Sequence, residues 1–196
     1  MIGPISNPSF EKNLSTQITY RLFPMQQREK QEVRSKYCQE LARKLLRDSG
    51  IKEPPIDVEQ IAMQNKFVVK FLDSQPTAFS GILHRELKAI GINRDHAGVR
   101  KRFSIAHELG HYFLQHPQEE EASLNEGSQE KWRVCEIEAN QFAGELLVPR
   151  DLLKSECEKL KNAPVDEKVN ILAKTFFVSR EVLVIQLSKH KLLMKI

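Results

Sequence analysis

The strongest hydrophobic pattern in the chain lies between Arg100 and His116. Phe103, Ile105, Ala106, Leu109, Tyr112, Phe113 and Leu114 fill an arc of ~200° on a helical wheel, and Ser104, His107, His111 and Gln115 share the narrow polar wedge that remains. Upstream, Val33, Tyr37, Leu41 and Leu45 step by four residues with Cys38 and Leu46 beside them, and Asp48-Ser49-Gly50 stops that helix. Pro54-Pro55 breaks the chain, after which Asp57 reads as the N-cap of a short helix with Ile61 and Ala62 inward. Three runs rich in β-branched or alternating residues follow, at 67–72, 79–84 and 87–93, with a tight turn near Arg85-Glu86. They predict a small, mostly antiparallel sheet of about three strands, and 87–93 is the candidate edge against which an extended peptide could pair.

Downstream of His116 the chain turns polar and acidic, and 117–131, with Pro117 and Gly127 as breakers, reads as a surface loop next to the site, with no pattern that says whether it gates it. A second amphipathic helix runs from Trp132 until Pro149 stops it, with Val134, Phe142, Leu146 and Leu147 among its apolar residues. Segments 150–160 and 166–188 supply two or three further helices. Pro4, Pro8 and Pro24 interrupt 1–28, which reads as an irregular leader to a single domain over 29–196 with a helical subregion at 150–196. The predicted class is α+β, a sheet packed against the central helix with further C-terminal helices.

Composition narrows the function. The chain has 196 residues and a formal charge of +4, with acidic residues in every basic stretch, so no nucleic-acid footprint stands out. Cys38, Cys135 and Cys157 are far apart and odd in number, which argues for reduced thiols. No apolar run reaches the length of a membrane span and the first residues lack a signal-peptide pattern, so the expectation is a soluble cytoplasmic protein with no membrane partner. Oligomeric state has no signature in the sequence.

The polar wedge of the central helix carries the candidate chemistry. His107, Glu108 and His111 form the H-E-x-x-H pattern, in which histidines four residues apart lie ~40° from one another and reach one ion, while Glu108 sits ~100° round, within reach of water at that ion. A catalytic zinc takes three protein ligands and keeps one position open, so a third must come from elsewhere. The second helix offers Glu136 and Glu138, with Cys135, Asn140 and Glu145 nearby. Glu136 and Glu138 project ~200° apart, so only one faces the ion, and the pattern of residues does not separate them.

His107-Glu108-Leu109-Gly110-His111, preceded by RKRFSIA and followed by Glu138-Ala139-Asn140-Gln141-Phe142-Ala143-Gly144-Glu145-Leu146-Leu147-Val148-Pro149, resembles the ImmA/IrrE family of zinc metallopeptidases from about Pro55 onward. The resemblance implies a zincin-like fold and one Zn2+ ion, with His107, His111 and Glu138 as ligands and Glu108 as catalytic base. It further implies that the substrate is a separate protein, an XRE-type helix-turn-helix repressor, whose cleavage derepresses phage, mobile-element or stress genes. Tyr112, His116, His84 and His96 are unranked candidates for stabilising the oxyanion, and Cys135 would share the helix face of Glu138.

Two rival functions are weighed against this one. A zinc-holding module that acts by contact without cutting would not need Glu108, since a purely structural site uses no base. A DNA-binding regulator would rest on 169–190, whose L-A-x-x-F, V-S and following helix resemble a helix-turn-helix. There Val182, Leu183, Val184, Ile185 and Leu187 leave few side chains to read bases, and Phe177 stands where the turn favours glycine, so these helices are expected to pack rather than bind DNA.

Overall fold

The structure is a computed structural model that describes residues 32–73, 79–117 and 128–192. The leader expected over 1–28 and most of the loop expected over 117–131 lie outside the described residues.

Helix α1 spans Ser35–Ser49 and ends on Gly50, whose φ of 74° is the left-handed conformation that lacks a Cβ penalty in glycine. Its buried stripe is Cys38, Ala42, Leu45 and Leu46. Tyr37, expected inward, is exposed and lies under the Arg34 guanidinium, 5.5 Å from the ring centroid. Helix α2, Val58–Gln64, starts as expected, the Asp57 carboxylate accepting the Gln60 N–H at 2.9 Å.

Strands β1 (Val68–Leu72), β2 (Gly81–His84) and β3 (Ala89–Asn93) form one sheet in the order β1-β3-β2. The β2–β3 pair is an antiparallel hairpin with Gly81 opposite Ile92, turned at 85–88 where the Lys88 N–H reaches the Arg85 carbonyl at 3.1 Å. β1 and β3 are parallel, with Val68 opposite Ala89, so the sheet is mixed rather than mostly antiparallel. The burial of β3 explains this order: Ile90 and Ile92 are fully buried and take the central position, whereas β1 and β2 alternate between exposed and half-buried. The segment 87–93 is therefore interior, and the edge next to the site is β2.

Helix α3, Gly98–Phe113, carries the two histidines and packs on the sheet and on α4, Ser128–Leu147. α4 begins four residues before Trp132, because Gln129, Glu130 and Lys131 favour helix and Glu130 opposes the positive end of the helix dipole. The two helices come closest at Gly110, where an added Cβ would lie 3.2 Å from the Ala139 Cα and from the Phe142 ring. This approach sets His107 and His111 beside the matching turns of α4.

Helices α5 (Arg150–Lys159), α6 (Val165–Phe176) and α7 (Arg180–Lys189) complete the described chain. Phe177 does adopt a left-handed φ of 49° at the α6 C-cap; its ring rests against Gly98 and under the Arg102 guanidinium. Ser179 caps α7 through the Val182 N–H, and Leu183, Gln186 and Leu187 are buried while Val184 and Ile185 face outward. Among the described residues no helix is long and apolar enough to cross a membrane.

Candidate metal centre and catalytic cleft

A cleft of about 820 Å3 opens between α3, α4 and the edge strand β2, with Gly81, Ile82, Glu108, Trp132 and Glu136 among its lining residues. The rings of His107 and His111, one helical turn apart, bring their Nε2 atoms to 3.0 Å from each other. The Glu136 carboxylate completes the group, Oε1 lying 3.1 Å from His111 Nε2 and Oε2 3.4 Å from His107 Nε2. One ligand atom from each of the three residues falls within 4.8 Å of the others. Two imidazole nitrogens and a carboxylate are a donor set that fits zinc and leaves a fourth position open.

The surroundings orient these donors. Asn140 Oδ1 lies 3.0 Å from His107 Nδ1, so the amide carbonyl accepts the Nδ1–H and leaves Nε2 as the ring nitrogen that faces the group. Trp132 stacks on His111 with ring centroids 5.3 Å apart. Burial opposes ionisation of Glu136, but hydrogen bonds from His107 and His111 outweigh it and hold the carboxyl well below the usual range. For His107 burial likewise opposes the charged form, and the Glu136 hydrogen bond with the charges of Glu108 and Glu136 outweighs it, so its pKa is raised.

Glu138, expected as the third ligand, does not join the group. It is buried on the far face of α4, where Arg34 grips both its oxygens from Nε and Nη2 at 2.6 to 3.1 Å and His116 Nε2 lies 3.0 Å away. The Arg34 backbone N–H also donates to it at 2.7 Å, so Glu138 caps α1, which has no cap of its own. Burial raises its pKa, but the Arg34 bonds and His116 overcome this and bring it to about 2. The physical reason is helix phase: Trp132, Glu136 and Asn140 recur every four residues along the cleft, whereas Cys135, Glu138 and Phe142 face α1 and the core. That spacing, in step with the spacing of His107 and His111, is the signal in the sequence that selects Glu136.

Glu108 lines the cleft, and its carboxylate packs directly over β2: a Cβ added at Gly81 would stand 2.6 Å from Glu108 Oε1. Of the four oxyanion candidates none is among the lining residues. Tyr112 packs edge-on against Phe67, His84 is exposed at the end of β2, His96 is half-buried beyond β3, and His116 lies behind His111. The basic side chains that do line the cleft are Arg85 and Arg100, the latter bonded to Ser80 Oγ at 2.9 Å. Cys135 is buried on the Glu138 face, its thiol pKa raised first by burial and then by the Glu138 charge. Glu145 is fully buried and paired with Arg43 at 2.7 Å and His190 at 3.1 Å.

Comparison with known proteins places this geometry. A search of curated proteins finds no match. Among solved structures, one described as a Mycobacterium tuberculosis transcriptional regulator is similar in fold, with a TM-score of 0.60 and 18% identity over 78% of this chain. This chain spans 46% of that one. The family model for Peptidase_M78, described as the IrrE N-terminal-like domain, matches residues 62–188, a stretch that includes the sheet, both histidines and Glu136. With most of its length matched, the chain belongs to the Peptidase_M78 family, an α+β, metallopeptidase-like family.

Proposed function

We propose that the protein is a zinc-dependent endopeptidase in which His107, His111 and Glu136 hold one zinc ion and Glu108 is the general base. The observation that carries this reading is the convergence of the three donor side chains on one point of a cleft that Glu108 also lines, beside the edge of a sheet. Zinc, when bound, supplies the Lewis acidity that polarises a peptide carbonyl and makes water acidic enough to yield its proton near neutral pH. Glu108 takes that proton on a carboxylate oxygen and passes it to the leaving nitrogen. Gly81, without a side chain, leaves the Glu108 carboxylate its place. The outer edge of β2 offers the backbone groups of 81–83 to an extended peptide, and Ile82, half exposed, meets its side chains.

The resemblance of the two motif helices to the ImmA/IrrE family supports a protein substrate, an XRE-type repressor supplied as a separate chain, with derepression of phage, mobile-element or stress genes as the outcome. Three buried, unpaired cysteines fit a reducing cytoplasm. The test is co-expression of a candidate repressor with the wild-type protein and with Glu108→Gln, both checked for one bound zinc. Cleavage by the wild type alone supports the reading. An intact repressor with both zinc-loaded proteins under every inducing condition points instead to a zinc-holding module that acts by contact.

A further inference from the structure

A line of polar groups, running inward from Arg34 at the surface to the buried Glu138 and His116, lies behind the candidate metal centre. Arg34 holds Glu138, Glu138 Oε2 lies 3.0 Å from His116 Nε2, and His116 Nδ1 lies 3.2 Å from His111 Nδ1. The side chains of His116 and Glu138 are each 2% exposed. The backbone folds back to make this contact: Gln115 takes a left-handed φ of 58°, and the His116 N–H returns to the His111 carbonyl at 3.1 Å. Arg85 fastens the same corner from outside, donating to the carbonyl oxygens of His111 and His116.

Proton accounting gives the line a direction. Glu138, ionised under the Arg34 fork, only accepts, so His116 Nε2 carries a proton and donates it. In a neutral imidazole the other nitrogen is then an acceptor, so the proton between the two rings sits on His111 Nδ1. His111 Nε2, which faces His107 Nε2 and Glu136, is then the nitrogen that can give up its proton and present a lone pair to an ion. We propose that Arg34, at the surface, and the buried Glu138 and His116 form a positioning chain that fixes the tautomer and orientation of His111, doing for it what Asn140 does for His107. The inference rests on the metal-site reading above, and it assigns Glu138 a part in the site two hydrogen bonds behind the ligand.

The test separates this role from simple space filling at position 116. In His116→Gln the side-chain amide again offers a donor toward Glu138 and an acceptor toward His111, whereas His116→Phe keeps a ring of similar size and removes both. Zinc affinity, measured by competition with a chromophoric chelator on protein shown folded by circular dichroism, is expected to fall by about 10- to 100-fold in His116→Phe. His116→Gln is expected to stay close to the wild type. Space filling gives the opposite order, and His116→Phe binding zinc as tightly as the wild type, or His116→Gln binding it no better than His116→Phe, overturns the chain. If His116→Phe does not fold, Glu138→Gln takes its place: a loss of about tenfold supports the chain and an unchanged affinity overturns it. Wild-type protein that takes up no zinc overturns the metal-site reading and this inference with it, while zinc binding by the wild type and His116→Phe alike overturns the inference alone.

Discussion

Replacing Glu136 or Glu138 by glutamine has opposite consequences if the two carboxylates do what their positions indicate, and thermal melts with and without zinc read both. Zinc bound only by the folded protein at a hundred times its Kd stabilises it by about 2.7 kcal/mol. For a chain of this size that raises Tm by roughly 5–11 °C. Glu136 supplies one of three protein donors, so its loss should weaken binding by at least the ~100-fold that supporting groups can cost, leaving about 0.4 kcal/mol and a rise of roughly 1 °C at the same zinc concentration. Without zinc, Glu136→Gln should melt within roughly 2 °C of the wild type, because the side chain is 38% exposed and its ion-pair partners among the described residues are the two histidines. Glu138→Gln loses charge-assisted bonds in a buried site, at a cost of about 1.5–3 kcal/mol, and should melt roughly 3–12 °C lower without zinc. Acting through His116, it should lower zinc affinity only ~10-fold and keep a gain of about 1.4 kcal/mol. The assignment is refuted if Glu138→Gln abolishes the zinc-dependent rise while melting normally without zinc and Glu136→Gln retains it.

Gly81→Ala should act on chemistry alone: a Cβ 2.6 Å from Glu108 Oε1 pushes the base aside, and a displacement of ~1 Å costs on the order of 100-fold in rate. Repressor cleavage should drop by that factor while zinc affinity and Tm stay at wild-type values; unchanged cleavage would show that Glu108 works from elsewhere. Gly110→Ala forces α3 and α4 apart against Ala139 and Phe142, so denaturant unfolding should report a loss of about 1–3 kcal/mol together with weaker zinc binding. In Glu145 burial raises the carboxyl pKa, but pairing with His190 and Arg43 outweighs this and sets it below the ordinary value. A pKa depressed on folding gives stability that is present above the unfolded carboxylate value of about 4.3 and is lost as pH falls through the folded one. Glu145→Gln should therefore destabilise at neutral pH and narrow its deficit to the wild type below about pH 4, as urea melts across pH would record.

The parts of this fold that periodicity exposes were legible in the chain, and those that depend on a neighbour were not. The α3 wheel separates a wide apolar arc from a wedge holding His107 and His111, and Asp57 and Gly50 mark helix ends with side-chain and backbone chemistry that needs no partner. Strand order is different in kind. The run at 87–93 is expected at an edge, yet β3 lies between β1 and β2 with Ile90 and Ile92 fully buried, an outcome set by what lands on either side. The choice between Glu136 and Glu138 has the same character. Both sit on one helix, and a motif read as a string puts Glu138 next to Ala139-Asn140. The helix puts Glu136 one turn before Asn140, as His107 stands one turn before His111, and Gly110 against Ala139 brings those two rows together. Ligand assignment on paired helices thus follows the residue at the contact point: once Gly110 and Ala139 touch, the residues that face the histidines are those three before and one after Ala139, which are Glu136 and Asn140, and Glu138 is turned toward α1, where Arg34 waits for a carboxylate.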